Sequence, residues 1–230
     1  MKNFLRSVPI LFLAIVLLFI TGCESEDSEN VEQDRIYALY ELFYNENENL
    51  TLARTTFYFG NPTGTKLELS GGASITFDGE ALSYNPTLAY YELAITGPVS
   101  SGTFVYTDLD GNTFTNPVAI TAVDFPAGQA TTLDKSEPYE IAWEGSALVA
   151  GESVTVSLVP NAVSETKLFL QVNIGATSIV LTPGRLADIE STVGQLVMDR
   201  FTSSEPAQAT SAGGEVLGHY RAPNLSVDIL

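Results

Sequence analysis

The sequence predicts an all-β protein, with antiparallel sheets folded into two tandem sandwiches behind an N-terminal leader and an acidic segment. Three observations carry this expectation. Side chains alternate between apolar and polar with a period of two over most of the chain, the pattern of strands with one wet face. Turn signals built on Gly, Pro, Asn and Asp interrupt that pattern at intervals of roughly 8–12 residues, the spacing of sandwiches and barrels. Hydrophobic residues make up 45% of the 230 residues and charged residues 17%, a composition that packs a core.

The leader comes first. Lys2 and Arg6 give a positive start, and the 13 residues from Val8 to Ile20 are apolar apart from Pro9. A helix that crosses a bilayer core needs about 20 residues, so this stretch is too short to span and has the form of a cleaved export signal. It ends in Ile20-Thr21-Gly22-Cys23, which resembles the lipobox of bacterial lipoproteins. That resemblance implies cleavage after Gly22 and lipid attachment at Cys23, with palmitate among the acyl chains. Cys23 is the only cysteine, so no intrachain disulfide is available to the mature chain. Two or more acyl chains give stable attachment where a single one does not.

Removing residues 1–22 leaves 208 residues and takes away two positive charges and no negative ones, moving the net charge from −18 to −20. A surface of that sign repels phosphate backbones, so nucleic acid is excluded as a partner.

Residues 23–34 follow as the expected tether. Six of the eleven residues from Glu24 to Asp34 are acidic and only Val31 is apolar, which predicts a solvated spacer reaching about 35–40 Å when extended. An acidic run directly after the cysteine is similar to the signal that sends some Gram-negative lipoproteins to the outer face of the cell. Glu24, rather than Asp, in the second mature position departs from the inner-membrane pattern. The expected location is therefore the outer membrane, with outward display as a further reading.

From Arg35 onward the elements are strands. Ile36, Leu39, Tyr40 and Phe43 also fit a helical stripe, but the Tyr-rich composition favours a strand, with Asn45-Glu-Asn-Glu-Asn49 as its hairpin loop. Ala73, Ile75 and Phe77 alternate with Ser74, Thr76 and Asp78. Ser153-Val-Thr-Val-Ser-Leu158 alternates without a break. Lys167 to Ile174 is read with Leu168, Leu170, Val172 and Ile174 on one buried face, and Leu225, Val227 and Ile229 form the last strand. Leu186 to Val193 is read as a short helical turn. Phe125-Pro126-Ala-Gly128 combines Pro and Gly between strand patterns and marks the boundary between one sandwich at 35–124 and another at 125–230.

Several stretches resemble a family of bacterial envelope lipoproteins: Thr63 to Leu69, Ser101 to Tyr106 with Thr113 to Asn116, Tyr139 to Gly145, Gly175 to Leu181, and His219 to Asn224. The resemblance implies tandem immunoglobulin-like sandwiches over most of the mature chain. It carries no functional residues to transfer.

Candidate chemistry is sparse. Asp108-Leu-Asp-Gly-Asn112 sets Asp108, Asp110 and Asn112 at alternate positions, a spacing of oxygen ligands that suits calcium. A calcium loop of the EF-hand kind starting at Asp108 needs Gly sixth and Glu twelfth, where this chain has Thr113 and Ala119. The flanks are strand-like, and Asp110-Gly111 suits a type I′ hairpin turn. The turn is the expected reading, and a calcium site is the alternative. Trp143, the sole tryptophan, shares a face with Tyr139 and Ile141 opposite Glu140 and Glu144, which places it in a core rather than on a sugar-binding platform. His219, the sole histidine, falls with Leu217 and Arg221 on the face away from Val216 and Tyr220, and is expected at the surface. The chain contains neither Gly-x-Ser-x-Gly nor a glycine-rich phosphate loop. The expected function is a non-enzymatic structural or binding module, with no catalytic or cofactor-binding residues assigned. Its partners are the membrane, through lipid, and an envelope protein or glycan. A glycan-binding accessory to polysaccharide uptake is the first alternative, and a hydrolase with a carboxylate pair is the second.

Overall fold

A computed structural model describes residues 25–162 and 165–230; the expected export signal, Cys23 and Glu24 lie outside the described residues. The strands in chain order are β1 (Glu26–Asp27), β2 (Ile36–Asn45), β3 (Leu50–Phe59), β4 (Lys66–Glu68), β5 (Ser74–Phe77) and β6 (Glu80–Ala81). Then come β7 (Ser83–Asn85), β8 (Tyr90–Thr96), β9 (Ser101–Thr107), β10 (Thr113–Ala119), β11 (Thr132–Leu133) and β12 (Tyr139–Ile141). The last are β13 (Glu152–Pro160), β14 (Lys167–Gln171), β15 (Ile179–Leu181), β16 (Thr192–Ser204), β17 (Gly214–Arg221) and β18 (Leu225–Ile229). One short helix, α1 (Pro183–Leu186), precedes β16.

The all-β class and the sandwich-like layers expected from the alternation are what the chain forms. One large sheet runs in the order β1-β4-β3-β2-β17-β16-β13-β14, with β8 and β18 attached beside it. Smaller sheets pack against its inner face: β10-β9-β5-β6 over one end, and β12-β15 over the other. Two apolar cores result. One gathers Ile36, Tyr40 and Leu42 of β2, Phe57 of β3, Ile75 and Phe77 of β5, and Phe104 and Tyr106 of β9. The other gathers Val154, Val156 and Leu158 of β13, Leu196 and Met198 of β16, Ile141 of β12, and Trp143. The lining passes from the first core to the second between Val118 and Val123, except that Val216 of β17 belongs to the first.

The sheet is continuous because β17 pairs in parallel with β2, from Gly214 opposite Ala38 to Arg221 opposite Asn45. Around it the chain crosses back several times. Asn116, fully buried on β10, donates to the Gln208 carbonyl oxygen at 2.9 Å and accepts from the Gln208 backbone N–H at 2.9 Å. The segment between β16 and β17 is thereby clipped onto the smaller sheet, and the Thr210 hydroxyl adds a bond to the Ile36 carbonyl oxygen at 2.7 Å. At Gly218 the Ala119 carbonyl comes so close that a Cβ would lie 2.1 Å from its oxygen, so only glycine fits this crossing.

Four expectations need correction. The segment from Ser25 to Asp34 is docked rather than free. β1 pairs in parallel with β4, Ser28 is buried and its hydroxyl accepts from the Ser70 N–H, and the Gln33 amide donates to the Ser28 and Val31 carbonyls. Hydroxyl and amide bonds hold the run in place, while its acidic side chains stay exposed. On β14, Phe169 points inward, and Leu168 and Leu170 point outward. A run of three apolar residues can face either way, and the larger ring takes the core. The Asp110-Gly111 corner is a hairpin, but only Gly111 has a positive φ (80°), so it is not the mirror-image turn that needs two such residues. The helical turn expected from Leu186 to Val193 lies earlier, at Pro183–Leu186, and Val193 belongs to β16.

A buried ion pair closes the second core. The Arg200 side chain, without exposed surface, contacts Glu152 at 2.6 Å and donates to the Ser146 carbonyl at 2.8 Å. Ser146 also accepts from the Trp143 ring N–H, so this pair and the tryptophan fix one loop together.

Two substitutions test these constraints by urea denaturation. Gly218→Ala is expected to cost about 1–3 kcal/mol, because the Ala119 backbone cannot move aside cheaply. An unchanged midpoint refutes the close crossing. Glu152→Gln is expected to cost about 3–5 kcal/mol by leaving the Arg200 charge buried without a counter-ion. A cost below about 1 kcal/mol means that the pair does not bear on stability.

Candidate functional site

The polar residues of interest converge on the outer face of the large sheet, at the seam where β2, β17 and β16 lie side by side. Strand register puts Phe43, His219 and Phe201 in one cross-strand row. The rings stack, with the imidazole 4.1 Å from Phe43 and 4.2 Å from Phe201 between centroids. Rows on either side carry the charges. His219 Nε2 lies 2.7 Å from Asp199 Oδ1, and Nδ1 lies 3.4 Å from Glu41 Oε1. Arg221 holds both oxygens of Asp199, at 2.8 and 3.1 Å. Arg54 bridges Glu92 at 2.7 Å and Glu41 at 3.8 Å. The guanidinium groups of Arg54 and Arg221 also lie 5.8 and 5.6 Å from the Phe43 ring centre.

His219 is therefore not the surface residue that its strand face implied: it is 8% exposed. Its face was read correctly, with Leu217 and Arg221, but that face is covered by the neighbouring phenylalanines. Burial pushes the imidazole pKa down, and the carboxylates of Asp199 and Glu41 push it up more, leaving it above 6.5. Asp199 shows the opposite balance. Burial raises its pKa, while His219 and Arg221 lower it further, leaving it below 3.8. Both ring nitrogens face carboxylates and both ring faces are covered by phenylalanines, an arrangement that favours the protonated imidazole.

The remaining candidates do not join this cluster. Asp108 is buried, and its two carboxylate oxygens accept from the Asn112 backbone N–H at 2.8 Å and from its side-chain amide at 2.9 Å. Asp110 stands exposed on the turn. Among the described residues, no group of three or more His, Cys, Asp or Glu could hold a metal ion. Trp143 is in the core, as its strand face predicted. A cavity of about 60 Å³ lined by Tyr44, Val99, Ile120 and Tyr220, among others, has no carboxylate, and a wider recess of about 340 Å³ beside Tyr37 has only Glu205. Neither has the two acids that glycoside cleavage uses.

A second surface feature was not legible as such. Leu168 and Leu170 are 51% and 60% exposed on the outer face of β14, and Val172 and Ile174, just past it, are 56% and 73% exposed. The other large exposed apolar side chains are also aliphatic, and every aromatic residue among those described is at least partly buried. The alternation was visible in the sequence, but its facing was not. For the His219 cluster, Glu41 and Phe43, Asp199 and Phe201, and His219 and Arg221 each sit two apart on polar strand faces. Only the pairing register brings the three pairs together.

No protein-family model matches the chain, and no curated protein matches it. Among solved structures, the chain is similar to the FN1–FN3 domains of chicken CNTN1, with 12% identity and a TM-score of 0.26. The match covers 83% of this chain and 65% of that chain, so it takes in less than two thirds of the longer molecule.

The geometry sets a pH dependence. His219, with its pKa raised by folding, stabilises the protein fully below about 6.5, and that contribution is lost as pH rises through the folded value. Asp199, with its pKa lowered, stabilises the protein above about 3.8, and its contribution is lost as pH falls through the folded value. His219→Gln is expected to reduce stability by about 1.5–3 kcal/mol at pH 6 and by clearly less at pH 9. A gap between the two proteins that is constant from pH 5 to 9 in urea titrations refutes this.

Proposed function

We propose that the chain is an exported, non-enzymatic binding module, held at the outer membrane by lipid on Cys23, whose partner is a protein. The observation that carries the non-enzymatic reading is the state of the only histidine. His219 is spent in a structural cluster, stacked between two phenylalanines and bonded to two carboxylates. Protein rather than glycan is favoured as partner because the exposed apolar groups are aliphatic. Aliphatic rows pack against other side chains, whereas sugar rings are held on exposed aromatic faces. The sandwiches proposed at 35–124 and 125–230 act as one body in this reading, since a single sheet runs through both.

The lipid anchor rests on Ile20-Thr21-Gly22-Cys23 following a basic start and a 13-residue apolar stretch. The full chain expressed in a Gram-negative host is expected to incorporate labelled palmitate and to fractionate with the outer membrane. Cys23→Ser is expected to abolish both. Palmitate-free protein, or a serine variant that stays in the membrane fraction, refutes the anchor.

A further inference from the structure

We infer that the β14 edge is where two copies of this chain meet, pairing antiparallel so that the large sheet continues from one molecule into the next. The inference rests on the binding-module reading and names its partner. β14 is the last strand of the sheet and is bonded to β13 on one side. Single edges of this kind invite another strand, and proteins that keep them single guard them with charge, proline or a bulge. Here the one charge on the strand is Lys167 at its start, which pairs with Glu165 of its own molecule at 3.8 Å, and the thirteen residues from Leu168 to Val180 contain no charged residue and no proline.

The strand is complementary to itself. Turned about a two-fold axis through Phe169, Leu168 of one copy lies opposite Leu170 of the other, and Lys167 lies opposite Gln171. Both leucine pairs fall on the exposed face, while each Phe169 ring stays in its own core. An interface that uses one patch twice requires this kind of self-matching. Electrostatics favour the same place. Two molecules with a net charge of −20 after loss of residues 1–22 repel each other wherever carboxylates line the surface, and least along an edge strand that carries no carboxylate.

Lipid is the wrong occupant on geometric grounds. β1, next to the N-terminal anchor, is at the opposite end of the sheet order, with six strands between it and β14. At about 4.8 Å per step, the seven steps put the apolar edge about 34 Å along the sheet from the strand nearest the lipid. Confinement of both copies to a membrane raises their effective concentration, so a modest strand contact suffices.

The test uses two full-length chains with different tags, one carrying Leu168→Cys and the other Leu170→Cys, co-expressed and oxidised in intact envelopes. The mixed pair is expected to give at least about fivefold more disulfide-linked dimer than either variant alone, because in this register position 168 of one copy faces position 170 of the other and neither faces its own equivalent. A Leu168→Lys, Leu170→Lys chain is expected to show loss of dimer in chemical cross-linking, with its thermal midpoint unchanged, since both side chains are exposed in the monomer. Absence of the mixed dimer, equal yields from all combinations, or cross-linking only to a protein of another size each overturn the pairing. Palmitate incorporation is scored in the same cells. Labelled protein without cross-links refutes the pairing alone, and unlabelled protein refutes the anchor alone.

Discussion

The parallel ladder between β2 and β17 is the constraint on which the arrangement depends. It joins a strand near the start of the described chain to one near its end, and it turns two core layers into a single hydrogen-bonded sheet. Parallel pairing of distant segments has a large entropic cost in loop closure, so the ladder needs reinforcement on both faces. On the inner face, Val216 enters the first core and Gly218 lets the Ala119 backbone cross. On the outer face, the stack of Phe43, His219 and Phe201 spans all three strands of the seam. The Asn116–Gln208 amide clip then holds the loop that leads into β17. Each device acts on the same joint.

Much of the architecture was legible in residue periodicity. β2 forms as a strand with its hairpin loop, β13 alternates as read, and Trp143 sits inside with Tyr139 and Ile141. Those features depend on local alternation, which a single segment displays by itself. What could not be read depends on partners far away in sequence. His219 looks like a wet-face residue until β2 and β16 bring phenylalanines to either side of it. The acidic run looks unfoldable by composition because its anchoring is by hydroxyl and amide groups, Ser28 and Gln33, rather than by apolar bulk. β14 has apolar residues on both of its faces, so alternation alone does not say which one is buried.

The distribution of charge follows from the same packing. The described residues include eight lysines and arginines, and all are engaged within the molecule. Arg54, Arg200, Arg221 and Lys167 pair with carboxylates, while Arg35 and Arg185 lie over phenylalanine rings. Lys66 and Lys135 donate to backbone carbonyls. Among the described residues, most of the Asp and Glu side chains are exposed to solvent. The acidity of the chain is therefore concentrated on its exterior, which makes the carboxylate-free β14 edge conspicuous.

The docked N-terminal run has a bearing on how such a body would stand on a bilayer. The described residues begin at Ser25, whose hydroxyl accepts from Tyr84 at 2.8 Å. Two residues span at most about 7 Å, so a lipid on Cys23 leaves almost no slack. The protein would be mounted flush with the headgroups, its tilt and spin governed by the β1 and β4 corner, with the far end of the sheet projecting like a fixed arm. What that arm can touch is then limited to neighbours in the same leaflet plane, at a height set by the width of the sheet.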